Sequence, residues 1–96
     1  MDLKLSGKTA LITGASKGIG AGVAKGLALE GCNLHLVART QIDLEHLAED
    51  LHSNTKVEVN IYPFDLSNSK NIGKLHKLAG TPDILINNAG AIPAGN

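Results

Sequence analysis

Residues 13–20 read Thr-Gly-Ala-Ser-Lys-Gly-Ile-Gly, and no other stretch restricts the chain as much. Gly14, Gly18 and Gly20 fall between an apolar run ending at Ile12 and an amphipathic run starting at Ile19. Glycine lacks a Cβ, so the backbone can take positive φ there and its N–H groups can come close to an anion. A helix that begins in the turn adds unpaired N–H donors and about half a positive charge. Such a turn suits a diphosphate, although a glycine-rich strand-to-helix turn without a ligand satisfies the same residues. The glycine gaps are three residues and then one, not the commoner dinucleotide pattern of one and then two.

On either side of this turn the pattern alternates between strand and helix. Residues 8–13 read as a buried strand. Ile19, Val23, Leu27 and Ala28 recur at helical spacing, and Gly31 supplies a stop. Residues 34–38 form a second strand, so the segment up to Ala38 is a strand, a crossover helix and a strand, which implies parallel pairing with right-handed connection. Leu44, Leu47, Ala48 and Leu51 mark a second helix, closed by Ser53 and Asn54. Val57, Val59 and Ile61 alternate with polar residues in a third strand that ends at Pro63, as expected near a sheet edge. Ser67 or Ser69 caps a third helix carrying Ile72, Leu75, Leu78 and Ala79, with Gly80 as its stop. Residues 83–86 are a fourth strand, running into Asn87, Asn88, Ala89 and Gly90, and residues 92–96 read as loop.

Four strands alternating with three helices predict an α/β fold: a Rossmann-like, doubly wound parallel sheet in the order 3-2-1-4. In such sheets a ligand lies beyond the carboxyl ends of the strands, where the order reverses. The conspicuous residues fall there. The turn 14–20 follows strand 1, Arg39 follows strand 2, Asp65 follows strand 3, and residues 87–90 follow strand 4.

Composition excludes several function classes. Ninety-six residues make one domain at most, and a chain of that length buries only roughly 60 to 65% of its unfolded surface. Nine basic and nine acidic side chains give zero net charge, so there is no electrostatic footprint for nucleic acid or an acidic membrane. No signal peptide opens the sequence and no apolar run approaches a membrane span, so a cytoplasmic protein is expected. The single cysteine, Cys32, reads as a small packing residue. His35, His46, His52 and His76 lie in different elements and read as surface or satisfied polar groups, with no metal-ligand spacing.

The end of strand 2 is where a dinucleotide fold chooses its coenzyme. An acid there bonds the adenine ribose hydroxyls of NAD, whereas an arginine accommodates the extra phosphate of NADP. Ala38 occupies the place of the acid, and Arg39 offers a planar donor fork. Lys17 adds a second cation, so NADP is expected over NAD. Both cations also read as solvated surface charges. Asp65 is suited to the exocyclic amine of adenine, with the Leu66 backbone beside it; the competing reading is a helix-capping aspartate before Ser67, Asn68 and Ser69. Asn88, Ala89 and Gly90 are expected against the adenosine side, with Asn87 tying strand 4 to its neighbours; a plain asparagine–glycine turn is the competing reading.

Together, residues 13–20, Asp65 and residues 83–90 resemble the motifs of the short-chain dehydrogenase/reductase family, ordinary branch, in its order and spacing across essentially the whole chain. The resemblance implies hydride transfer between a nicotinamide and an alcohol or carbonyl substrate, and a homo-oligomeric parent. It implies cofactor contacts at Gly14, Ser16, Lys17, Gly18, Ile19, Gly20, Arg39, Asp65, Leu66, Asn88, Ala89 and Gly90. The family's catalytic tyrosine and lysine stand four apart, but Tyr62 has Leu66 at that distance, so no catalytic residue is carried over. Residues 1–96 then read as a partial NAD(P)-binding domain truncated after the fourth strand, inactive alone and with strand 4 as an exposed apolar edge. A non-catalytic, redox-sensing dinucleotide module, or a scaffold for another nucleotide, fits the same residues.

Overall fold

A computed structural model describes residues 5–88. It contains β1 (Thr9–Thr13), α1 (Gly18–Leu29), β2 (Asn33–Ala38), α2 (Gln41–Asn54), β3 (Val59–Pro63), α3 (Ser69–Ala79) and β4 (Ile84–Asn87). All strand pairs are parallel, and the order β3-β2-β1-β4 is the one expected from the alternation. Thr13 stands level with Val37 and with Asn87, and Ala38 with Pro63. The four carboxyl ends therefore share one edge of the sheet.

Alternation along the strands divides the core in two, because successive side chains leave opposite faces. Ala10, Ile12, Leu34 and Leu36 face α1 and α2, where they meet Ala24, Ala28, Leu44, Leu47 and Leu51. Leu11 and Val37 face α3, where they meet Leu66 and Leu75. Cys32 is fully buried and packs in the first of these clusters.

Two helices depart from the sequence expectation. In α1 the buried residues are Gly20, Ala24 and Ala28, whereas Ile19 is 75% exposed and Val23 and Leu27 are only half-buried. The helix rests on its smallest side chains. A Cβ on Gly20 would collide with the Gly14 carbonyl oxygen and lie 2.9 Å from Asn88 Nδ2, so glycine is required by close approach rather than by backbone angle. In α3 neither serine caps the helix. Asn68 is the N-cap, its Oδ1 accepting from the Lys70 N–H at 3.1 Å. Ser67 instead belongs to the preceding turn, where it bonds Asp65. Leu78, placed on the apolar stripe by spacing, is 65% exposed.

On the α3 side of the sheet, His35 Nδ1 lies 2.7 Å from Tyr62 Oη, with the rings tilted at a centroid distance of 5.4 Å. Burial pushes the His35 imidazole below its usual 6.5 and the Tyr62 phenol above its usual 10.0. On the same sheet, β4 ends the order at the side away from β3, and Leu85 is 63% exposed.

Two outcomes follow for stability. Gly20→Ala destabilises the chain by about 1–3 kcal/mol through overpacking. Gly22→Ala, whose added Cβ meets nothing within 4 Å, is neutral or stabilising by up to about 1 kcal/mol. Equal urea midpoints for the two variants would contradict this packing. For His35 the unfolded chain takes up a proton at higher pH than the folded chain. Its contribution is complete above about pH 6.5, declines below that value, and levels off beneath the folded pKa. His35→Gln removes this part of the acid limb; parallel loss of stability in both proteins between about pH 7 and pH 5 would refute it.

Candidate functional site

At the level edge of the sheet, the turn after β1 bends through Gly14 at φ 61° and Gly18 at φ 57°, in the left-handed region that favours glycine. Ala15 N–H donates to Val37 O at 3.1 Å, which fastens the turn to the end of β2. Lys17 is the N-cap of α1 in extended conformation and makes no side-chain capping bond. The first turn of α1 thus presents its donors and the positive end of its dipole with no side-chain acceptor over them. Ser16 is half-buried in the turn, and the exposed Ile19 follows it at the helix start.

The end of β4 is bound to this turn. Thr13 Oγ1 donates to Asn87 Oδ1 at 2.9 Å and accepts from Asn88 N–H at 3.0 Å. Asn88 Nδ2 reaches the Gly14 carbonyl at 3.4 Å. Asn87 therefore ties β4 to β1, and Asn88 borders the glycine turn. Ala89 and Gly90 lie outside the described residues.

Charged groups surround the ends of β2 and β3. Lys17 has a side chain 82% exposed, and its Nζ lies 3.9 Å from Asp43 Oδ2 in the first turn of α2. Arg39 follows β2 and is exposed. Asp65 Oδ1 accepts from the Ser67 hydroxyl at 2.7 Å and the Ser67 N–H at 3.0 Å. These bonds, the hydroxyl first, and then the nearby Arg39 charge hold the Asp65 carboxyl below its usual range. Asp65 therefore does not cap α3, contrary to the competing reading; Asn68 does, and Asp65 holds the turn before it. Both bonds fall on Oδ1, and Oδ2 makes no hydrogen bond among the described residues. The Leu66 side chain is buried in the core against α3, so only its backbone is available to a ligand.

The arrangement fits a dinucleotide. Left-handed glycines and an uncapped helix start can take a diphosphate, and Arg39 and Lys17 are exposed cations beside the same edge of the sheet. Asp43 was missed from sequence. Its only signal there is an acidic residue early in a helix that begins beside Arg39. Tyr62 and His35 satisfy each other on the α3 side of the sheet. The Cys32 thiol is pushed up by burial and by the Asp83 charge, which disfavours the reactive thiolate. Among the described residues no group of three or more His, Cys, Asp or Glu could hold a metal ion, and no helix is long and apolar enough to cross a membrane.

Known proteins are similar to this chain in sequence and in fold. The family model described as short chain dehydrogenase matches residues 8–96. The oxidoreductase UcpA of Salmonella typhimurium is 42% identical over 97 residues, covering 97% of this chain and 36% of that protein. A very-long-chain 3-oxoacyl-CoA reductase of Scheffersomyces stipitis is 46% identical over 90 residues, covering 88% of this chain and 25% of that protein. The L-sorbose reductase of Gluconobacter frateurii, solved with NADPH and L-sorbose, superposes with a TM-score of 0.84 at 38% identity, covering 95% of this chain and 36% of that one. The chain spans about a third or less of the length of these relatives. A match running from residue 8 to residue 96, with identities at this level and a TM-score of 0.84, makes the chain a member of the short chain dehydrogenase family.

Proposed function

We propose that this chain is the coenzyme-binding part of an NADP-dependent oxidoreductase that moves hydride between a nicotinamide and an alcohol or carbonyl. The observation that carries the reading is Arg39, an exposed guanidinium directly after β2, beside Ala38 at the position where an NAD-selective site would place a carboxylate. NADPH bound in the similar sorbose reductase supports it.

In this reading the N–H groups at the start of α1 and the turn at Gly14 and Gly18 bind the diphosphate. Arg39 and Lys17 take the ribose phosphate. Asp65 uses Oδ1 to hold its own turn and Oδ2 to accept from the adenine amine, with the Leu66 backbone at the ring edge. Asn88, followed in sequence by Ala89 and Gly90, borders the adenosine side. Ser16 and the exposed Ile19 border the bound coenzyme at the helix start. When bound, the coenzyme would give or take the hydride; the residues of this chain bind and orient it. No proton donor is assigned among residues 1–96, because Tyr62, the one tyrosine, is bonded to His35. Activity on an alcohol or carbonyl substrate, and a homo-oligomeric state, belong to the proposal for the whole protein.

Fluorescence titration with NADPH and NADH tests the coenzyme assignment. Arg39→Ala weakens NADPH binding by about 1.5 kcal/mol or more, roughly tenfold, because a charged hydrogen bond to phosphate is lost. NADH binding stays nearly unchanged. An equal loss for both coenzymes, or no loss for either, would remove Arg39 from the site.

A further inference from the structure

Each cation at the adenine end of the crevice has a carboxylate beside it. Lys17 Nζ is 3.9 Å from Asp43 Oδ2, and Arg39 is close enough to Asp65 to act on its charge. The two acids differ in what else they do. Asp65 is engaged by Ser67 through both its hydroxyl and its N–H. For Asp43, the Lys17 contact is the one ion pair among the described residues. Its side chain is 29% exposed, against 82% for Lys17, so the acid is the better-placed member of the pair. It sits in the first turn of α2, which begins two residues after Arg39, where the helix dipole favours a negative charge.

We infer that Asp43 is a specificity-determining residue that limits the preference for a phosphorylated adenine ribose. The inference rests on the coenzyme reading above. A ribose phosphate carries about −1.5 to −2 charge at neutral pH. On arrival it meets two cations and two carboxylates whose formal charges cancel. Asp43 opposes it twice, by direct repulsion and by holding Lys17. NADH brings no charge to that spot, so Asp43 acts on the ratio of the two affinities and not on coenzyme binding in general. The effect is that of partly exposed charges and is screened by salt.

The test is titration of the full chain with NADPH and with NADH, as wild type, Asp43→Asn, Lys17→Met and the double variant, at low and at physiological ionic strength. Asp43→Asn tightens NADPH by about two- to five-fold, leaves NADH unchanged, and shows the larger effect at low salt. In the Lys17→Met background the gain shrinks but persists as the direct repulsion. Weaker NADPH binding by Asp43→Asn would overturn the inference, because Asp43 would then position Lys17 for the phosphate. An unchanged ratio, or an equal shift for both coenzymes, would also overturn it. The two readings fail separately: the wild-type preference and the Arg39→Ala response judge the coenzyme assignment, and the response of the ratio to Asp43→Asn judges this residue. Thermal melts of the variants verify that each compared protein is folded.

Discussion

The distance at which α1 lies on the sheet governs the rest of the molecule. Gly20, Ala24 and Ala28 form its buried side, and side chains this small let the helix settle directly over Ala10 and Ile12 of β1. The helix start is thereby brought against the Gly14 carbonyl and the end of β4. A larger residue at the first of these positions would lift the whole helix start. The unpaired donors of that first turn would then point at a different place.

Much of the fold could be read from spacing, since both kinds of evidence depend on the same periodicity. The apolar runs at residues 8–13 and 34–38 became the central strands, because a parallel sheet buries both faces of its inner strands, and the alternating run ending at Pro63 became the edge strand β3. The order of the sheet followed from the alternation with helices. Spacing failed where hydrophobicity and size disagree. Ile19 and Leu78 are apolar and at helical spacing, yet both are exposed, while the glycine and alanines of α1 carry the contact. The start of α3 was ambiguous for another reason. Asp65, Ser67, Asn68 and Ser69 are all good caps within one short segment, and only the observed bonds separate the turn formed by Asp65 and Ser67 from the cap formed by Asn68.

At the site, the glycines and strand-end polar residues were legible because their chemistry is local. Gly14 and Gly18 take the left-handed angles that such a turn needs, and Arg39 stands at the end of β2. What sequence leaves out are partners brought together by the fold. The contact between Lys17 and Asp43 joins the first turn to the second helix, and the Thr13 hydroxyl connects both asparagines of β4 to β1. Electrostatics at this edge of the sheet are accordingly a balance of four side chains from three separate loops and a helix start. Neither the cations alone nor net charge describes it.

The attachment of Asn87 and Asn88 to Thr13 and Gly14 also sets an order of events during synthesis. Among the described elements, β1 and the glycine segment are made before the strand that closes them, which comes last. Until residue 88 has emerged, β1 has no neighbour on its β4 side, and the Thr13 hydroxyl lacks its asparagine partners. A nascent chain therefore closes this edge of the sheet only when β4 has been made, at the end of translation of this region.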